Sequence, residues 1–222
     1  MGMFPFVVIE GLDGSGKTTL RKGLFRLFDS LYGVTPLSVL TTNFLAPEVA
    51  ADLVDGKYAP TEANRDRYLR ALRADKKATV ERLIAPSLPL RPVVADRWLL
   101  SELAFFQVKH GQDPQDTYAG LADAIDLVPD LTLILDAATG TTMRRAASRS
   151  AGDSVRDDWD VDHVQTSVRA TYQAITADPT SFPKIGPTVT IDANQPRADV
   201  LANAWTALIE RGLTPDLEGS IR

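Results

Sequence analysis

Apolar residues are grouped along this chain in two ways, as short unbroken runs and as longer stretches with helical spacing. The runs are rich in β-branched residues and lack polar alternation, which predicts strands that are buried on both faces of a parallel sheet. They are Phe6–Ile9, Val93–Ala95, Leu131–Leu135, Thr188–Ile191 and, with a weaker pattern, Leu37–Leu40.

Helical spacing of apolar residues fills the intervals between these runs. Leu20, Leu24 and Phe28 mark a first amphipathic helix. The others are predicted at about 64–85, 99–110, 119–128, 161–177 and 198–209. Five strands that alternate with helices predict an α/β fold with a parallel sheet and right-handed crossovers. The Pro-rich residues 178–187 fit a loop better than a domain linker, so we expect one domain over residues 1–222.

Composition removes several classes of function. The formal net charge is −5, which argues against a nucleic-acid partner. The sequence contains no cysteine, so disulfides and thiolate chemistry are excluded. Apolar runs are shorter than the roughly 18 residues of a membrane span, and the N-terminal run ends at Glu10 without the pattern of a signal peptide. We therefore expect a cytoplasmic protein without a membrane partner.

A glycine-rich turn follows the first predicted strand. Residues 11–18 match the phosphate-loop pattern G-x-x-x-x-G-K-[ST], between a strand and an amphipathic helix as that pattern requires. Glycines let successive N–H groups point into one concavity, and the helix start adds a positive dipole end. The Lys17 ammonium then suits the β- and γ-phosphates of a nucleotide, and the Thr18 hydroxyl suits Mg²⁺. The predicted nucleotide-binding residues are Gly11, Asp13, Gly14, Ser15, Gly16, Lys17, Thr18 and Thr19.

Two charged residues follow the strand predicted at Val93–Ala95. Asp96 and Arg97 would lie at the carboxyl edge of the sheet, where open α/β folds bind ligands. Asp96 would face the same crevice as Lys17 and hold Mg²⁺ directly or through water, while the planar fork of Arg97 suits an incoming phosphate. The alternative is a helix-capping Asp beside an Arg in a surface ion pair. A phosphate loop alone does not define a reaction, but an Asn-Lys-x-Asp guanine reader is absent from the sequence.

With both segments considered, the chain resembles the thymidylate kinase family of nucleoside monophosphate kinases. Four segments carry the resemblance in order: residues 6–19, 96–105, 129–136 and 191–196. The resemblance implies a P-loop NTPase fold with a five-stranded parallel sheet and a short lid. It implies Mg²⁺-dependent transfer of the γ-phosphoryl group of ATP to a nucleoside monophosphate, which needs alignment and cations more than covalent chemistry.

The resemblance also implies roles for individual residues. Lys17 would hold the donor phosphates, Arg97 would hold the acceptor phosphate in line, and Asp13 would contact the 3′-hydroxyl of the acceptor sugar. Ser101 belongs to the same acceptor segment, and Phe105 stands where the family often has a Tyr that excludes a 2′-hydroxyl.

A mobile arginine should close over the transferring group. Some members of this family supply it from the lid, and others supply it from the phosphate loop. Here the loop has Asp13 and Gly14 where those other members have the arginine. The resemblance therefore assigns this arginine to a lid at about residues 144–158, with Arg149 and Arg156 as candidates. The predicted catalytic residues are Lys17, Arg97, Arg149 and Arg156, unless the lid arginines only form a solvated basic helix end.

The half of the predicted site that would bind the acceptor, called the acceptor half below, departs from the family pattern. The arginine of the family's Arg-Glu-Pro segment is missing from residues 41–44, Thr-Thr-Asn-Phe. Leu72 stands where the family has a base-stacking Phe, and Lys76 stands where it has the arginine that reads the thymine carbonyl; Asp75 is retained beside it. The predicted acceptor-binding residues are Asp13, Leu72, Lys76, Arg97, Ser101 and Phe105.

The predicted acceptor is a pyrimidine deoxynucleoside monophosphate, with dTMP converted to dTDP as the first candidate. Three alternatives stay open: a different or modified nucleotide as acceptor, a nucleoside or other small hydroxyl compound, and a nucleotide-binding relative without catalysis. The predicted partners are ATP and the nucleoside monophosphate. Members of the family often form homodimers through helix faces, and the sequence leaves the oligomeric state of this chain open.

Overall fold

A computed structural model describes residues 4–40, 45, 64–147 and 162–215 of the chain. Within these ranges, five parallel strands form one sheet in the order β2-β3-β1-β4-β5. They are β1 (Phe6–Gly11), β2 (Leu37–Leu40), β3 (Val93–Asp96), β4 (Leu131–Asp136) and β5 (Thr188–Asp192). The five predicted strands and the α/β fold class are therefore confirmed.

Helices cover both faces of the sheet. In the described ranges they are α1 (Lys17–Tyr32), α2 (Arg65–Thr79), α3 (Leu99–His110), α4 (Pro114–Ala122), α5 (Thr139–Ala147), α6 (Asp162–Ala177) and α7 (Arg197–Glu210). The strand β1 supplies alternate residues to two cores. Phe6 and Val8 face the core against α2, α3 and α6, whereas Val7 and Ile9 face the core against α1 and α7. Because both faces are covered, the apolar run of this strand does not alternate.

The predicted helix at 64–85 has an irregular second half. After α2 the chain continues as a π-helical segment (Val80–Ile84) and a last α turn (Ala85–Ser87). The N–H of Ala85 donates to the carbonyl of Val80, five residues earlier. Pro86 lacks an N–H and cannot continue the regular α-helical ladder, so a shifted hydrogen-bond pattern is expected next to it.

The bounds predicted for the helix at 119–128 are wrong at both ends. It begins at Pro114 and ends at Ala122. The side chain of Asp113 accepts a hydrogen bond from the N–H of Gln115 at 2.7 Å. An Asp at the N-cap followed by Pro at the first helical position is a strong start signal, and it outweighs the later apolar pattern.

The strand register brings the candidate site residues to one edge of the sheet. Ile9 is the register partner of Asp96, and Leu40 is its partner on the other side. Gly11 pairs with Leu135. Since the strands are parallel, the residues that follow β1, β2 and β3 all emerge at the carboxyl edge. None of the helices within the described ranges is long and apolar enough to span a membrane.

Candidate active site

The segment between β1 and α1 forms a concave loop of backbone amides. Gly11, Gly14 and Gly16 have φ of 146°, 82° and 104°, which residues with a Cβ rarely adopt. Gly16 is the N-cap of α1, and no side chain caps that end. The Ser15 hydroxyl is buried, and the described residues provide no hydrogen-bond partner for it. A helix start without a side-chain cap and a buried hydroxyl beside it suit an anion such as a phosphate group.

The tip of this loop packs directly on α5. A Cβ added to Gly14 would lie 2.2 Å from the carbonyl oxygen of Thr142. The position of the loop is therefore tied to the helix that leads into the predicted lid. Residues 148–158 of that predicted lid, with Arg149 and Arg156, lie outside the described residues.

Lys17 lies at the base of the loop. Its Nζ donates to the carbonyl oxygens of Gly11 and Leu12, both at 2.9 Å, and lies 3.7 Å from the Asp13 carboxylate. Burial and the nearby charge of Arg97 lower the pKa of Lys17 to about 8, against the opposite influence of Asp13, Asp96 and Glu10. A polyanionic ligand would favour the charged form of this ammonium group.

Arg97 follows β3 in an unusual backbone conformation. Among the described residues it is the one non-glycine residue that has a positive φ, at 69°. Its guanidinium donates to the Asp13 carboxylate at 2.5 Å and to the Ser101 hydroxyl at 3.2 Å. Burial alone would lower its pKa, but Tyr172, Asp13 and Glu10 together raise the pKa of Arg97 above its ordinary value. The cation is thus retained in a half-buried site, where it could bind an anion.

Sequence reasoning missed two residues beside Arg97. Glu10, on β1, has 0 % exposure and accepts hydrogen bonds from the N–H of Trp98 at 2.8 Å and from the Ser101 hydroxyl. Burial raises the pKa of the Glu10 carboxyl, opposed by the Ser101 hydrogen bond and the charge of Arg97. A charged residue between the apolar run and the first glycine of the phosphate loop was the available signal.

The second missed residue is Tyr172, on α6. Its hydroxyl lies 2.8 Å from the Ser101 hydroxyl and 3.4 Å from a guanidinium nitrogen of Arg97. One helical turn away, Arg169 binds the Asp136 carboxylate through two hydrogen bonds of 2.6 and 2.7 Å. These contacts fix α6 against the ends of β4 and α3. In the sequence, Tyr172 carries no signal beyond its position on the apolar face of a predicted helix.

A cleft of about 300 Å³ joins the phosphate loop to the end of β3. Lys17, Thr18, Asp96 and Arg97 all line it. The structure therefore brings together the predicted donor, metal and acceptor groups that are 80 residues apart in the chain. A hydroxyl and a carboxylate are hard oxygen donors of the kind that Mg²⁺ takes, so the residues present fit that ion.

A larger cavity of about 570 Å³ lies on the other side of the loop. Gly14, Ser15, Gly16 and Thr19 line it together with residues that sequence reasoning did not single out, Arg26, Gln195 and Arg197 among them. Arg26 comes from α1, Gln195 comes from the turn after β5, and Arg197 is the first residue of α7. A cavity that adjoins the phosphate loop in this way offers space for the nucleoside part of a nucleotide.

The remaining predicted acceptor residues are less accessible. Leu72 and Lys76 each have 1 % exposure. The Lys76 Nζ lies 2.8 Å from the Glu102 carboxylate and 4.5 Å from the centroid of the Trp98 ring. Phe105 packs edge to face on Tyr68, with the ring centroids 5.4 Å apart. Residues 41–44, where the family's arginine is missing, lie outside the described residues.

A sheet of this order, with a phosphate loop after its central strand and cations on two sides of one cleft, defines a P-loop nucleotide kinase. The family model described as thymidylate kinase matches residues 9–203. The chain belongs to the thymidylate kinase family and is an ATP-dependent nucleoside monophosphate kinase.

Two curated relatives illustrate this similarity. A thymidylate kinase of Jannaschia sp. is 32% identical over 180 residues, which cover 77% of this chain and 81% of the relative. A probable thymidylate kinase of Methanocaldococcus jannaschii is 31% identical over 144 residues, which cover 65% of this chain and 70% of the relative.

Proposed function

We propose that the enzyme transfers the γ-phosphoryl group of ATP to dTMP and forms dTDP. The observation that carries the proposal is the placement of Lys17 and Arg97 on the same cleft, with Asp13 in contact with both. Two cations on a common anion-binding cleft can align a donor and an acceptor phosphate. Alignment and charge neutralisation account for most of the catalysis in phosphoryl transfer.

In this proposal different groups of the chain bind the donor, the acceptor and the metal ion. The loop amides and Lys17 hold the donor phosphates, and Arg97 holds the acceptor phosphate. Thr18 and Asp96 would hold Mg²⁺, which neutralises phosphate charge when it is bound. Asp13 would orient the acceptor sugar, and Ser101 and Phe105 would contribute to acceptor binding. Arg149 or Arg156 of the lid would close over the transferring group and exclude water.

A coupled assay of ADP release tests the proposal, with dTMP, dUMP, dCMP and thymidine as acceptors in the presence of Mg²⁺. We expect the highest kcat/KM with dTMP and negligible turnover with thymidine, which lacks the phosphate that Arg97 would bind. Absence of turnover with every monophosphate would contradict the proposal.

A second acceptor is favoured by the buried ion pair between Lys76 and Glu102. The Lys76 ammonium is enclosed between this carboxylate and the Trp98 ring. With 1 % exposure it has little surface left with which to read a thymine carbonyl, and breaking the pair to reach one would leave a buried carboxylate without its counter-charge. This arrangement suits a different or modified pyrimidine, and preferential turnover of such a monophosphate over dTMP would establish it.

The chain offers a matched test of this ion pair. In the double variant Lys76→Met and Glu102→Gln, the buried charges are replaced by side chains of similar size. The control is Lys77→Met with Glu81→Gln, an exposed ion pair that begins one residue further along α2. If the buried pair selects the base, only the first variant changes the ratio of kcat/KM between dTMP and the other monophosphates. An unchanged ratio would assign the pair to folding alone.

A further inference from the structure

Glu10 is a fully buried carboxylate in the central strand of the sheet. Burial of an isolated carboxylate is strongly unfavourable unless it accepts hydrogen bonds. Glu10 accepts them from the N–H groups of Trp98 and Ser101, at 2.8 and 3.2 Å, and from the Ser101 hydroxyl. Its partners therefore lie at the start of α3, directly after Arg97.

The start of α3 has no cap from its own sequence. Trp98 is the N-cap residue, and its side chain makes no capping hydrogen bond. Helices leave their first N–H groups unsatisfied, and a side-chain oxygen normally accepts from them. Here the Glu10 carboxylate performs this function from the neighbouring strand. A negative charge at this position is also favoured by the helix dipole.

The same contacts restrain Arg97. A φ of 69° is unfavourable for a residue with a Cβ. The N–H of Arg97 donates to the carbonyl of Ile9 at 2.9 Å, and the next N–H, of Trp98, donates to the Glu10 side chain. The two peptide groups that flank Arg97 are thus held by two consecutive residues of β1, so the guanidinium is directed back over the phosphate loop.

The side chain of Arg97 is restrained through the same carboxylate. One guanidinium nitrogen donates to the Ser101 hydroxyl at 3.2 Å, and that hydroxyl donates in turn to Glu10. The other guanidinium nitrogen reaches Asp13 of the loop. Glu10 consequently accepts from the peptide group that follows Arg97 and from Ser101, which is one of the three side-chain partners of the guanidinium together with Tyr172 and Asp13.

We propose that Glu10 is a positioning residue for acceptor binding: its carboxylate caps α3 from β1 and holds Arg97 in the conformation that presents the guanidinium to the acceptor phosphate. This inference rests on the proposed role of Arg97 as the group that binds that phosphate. Glu10 itself is fully buried and is not one of the residues that line the cleft.

The test uses the full-length enzyme and the variant Glu10→Gln. Gln retains an oxygen that can accept from the two N–H groups, but it lacks the charge and presents an amide to Ser101. Calorimetry gives the dissociation constants of dTMP and of thymidine. We expect dTMP to bind at least about tenfold more weakly while thymidine binds as before, because only the phosphate contact depends on Arg97. The dissociation constant of MgATP should change much less.

A double-mutant cycle with Arg97→Ala separates positioning from general destabilisation. If Glu10 acts through Arg97, Glu10→Gln should weaken dTMP binding no further once Arg97 is removed. Additive effects, or equal losses for dTMP and thymidine, would overturn the proposal.

Asp130→Asn supplies the matched control. This carboxylate also accepts from a backbone N–H of β1, that of Phe6 at 2.7 Å, but at the opposite end of the strand. We expect it to lower the melting temperature without changing the affinity ratio of dTMP to thymidine. If it changes that ratio as Glu10→Gln does, the effect is not specific to Arg97 and the proposal fails.

A second variant keeps the proposal testable if the Glu10→Gln enzyme fails to fold. Glu10→Asp keeps the charge but withdraws the carboxylate from α3 by one methylene, and it should shift the same affinity ratio in the same direction. An unchanged ratio in a folded Glu10→Asp variant would count against the proposal. Loss of the proposed function itself would be recognised separately, since the wild-type enzyme would then neither bind nor phosphorylate dTMP.

Discussion

The phosphate loop and the surroundings of Arg97 lie on one cleft, but they are assembled in opposite ways. The proposed donor half comes from nine consecutive residues, 11–19, which form a glycine-rich loop and the uncapped start of α1. The acceptor half brings together side chains of β1, α3 and α6, which are separated by up to 162 residues in the chain. Backbone geometry dominates the first half and side-chain contacts dominate the second.

This difference predicts that the two halves of the proposed site tolerate substitution unequally. A cradle of amides needs glycines and a lysine at fixed spacing, so few sequences can form it. A binding surface made of side chains from several elements can be altered one residue at a time. Lys76 and Glu102 are the proposed example of such an alteration: together they form a buried ion pair against the Trp98 ring. We therefore expect substitutions in the donor half to abolish activity and those in the acceptor half to change selectivity.

The largest effect is expected for Lys17→Ala. Loss of the ammonium group should lower kcat by about a thousandfold, because it removes a preorganised cation from the site where phosphate charge develops. Steady-state kinetics measure this loss. Lys22→Ala, an exposed lysine of the same helix, is the control and should retain activity. A nearly active Lys17→Ala enzyme would refute the assignment of the donor half.

Arg97→Ala should have the next largest effect, and it should act on the acceptor. We expect the KM for the acceptor to rise and kcat to fall, with kcat/KM about a hundredfold lower. Binding of MgATP, followed by calorimetry, should persist because the loop amides and Lys17 are unchanged. Arg91→Ala, an exposed arginine before β3, should leave these values unaltered. If Arg97→Ala weakened the binding of ATP and the binding of the acceptor equally, the donor and acceptor halves of the site would not act separately.

Gly14→Ala tests the dependence of the donor half on its backbone. The new Cβ would lie 2.2 Å from the Thr142 carbonyl oxygen at a φ of 82°. We expect a loss of about 3 kcal/mol in the free energy of unfolding, from overpacking and from the positive φ together. Gly33→Ala has a φ of 66° with nothing within 4 Å of the added Cβ, so it carries the conformational cost alone. Equal losses for the two variants in chemical denaturation would argue against the contact with α5.

The smallest predicted effect is a pH dependence of nucleotide binding. Burial and Arg97 lower the pKa of Lys17 to about 8, and bound phosphates should raise it again. Below pH 7 the ammonium is charged before and after binding, so the affinity for MgATP should be independent of this group. Above pH 8 binding must take up a proton, and the affinity should fall by up to about tenfold per pH unit.

Calorimetry in buffers of different ionisation enthalpy detects this proton uptake directly. Adenosine, which lacks phosphates, is the control and should show no such dependence. An affinity for MgATP that stays constant between pH 7 and 10 would show that Lys17 keeps its proton without the ligand.

Much of the fold could be predicted because local patterns agreed with it. The five strands follow from unbroken β-branched runs, and the phosphate loop follows from its glycine spacing. The helix at Pro114–Ala122 was misplaced because apolar periodicity was given more weight than the capping signal at Asp113. Glu10 and Tyr172 were missed because their importance depends on Arg97 and Ser101, which lie far away in the sequence.

The sequence by itself determined the layers of the fold, the anion-binding loop and the family, because each of these depends on neighbouring residues and on regular spacing. Only the tertiary structure decided how Arg97 is held, which carboxylate caps α3, and that Lys76 is paired with Glu102. The physical reason is that a charge in a half-buried site is stabilised by whichever partners the packing brings within hydrogen-bonding distance. Those partners come from separate strands and helices, and no local pattern in the chain encodes their proximity.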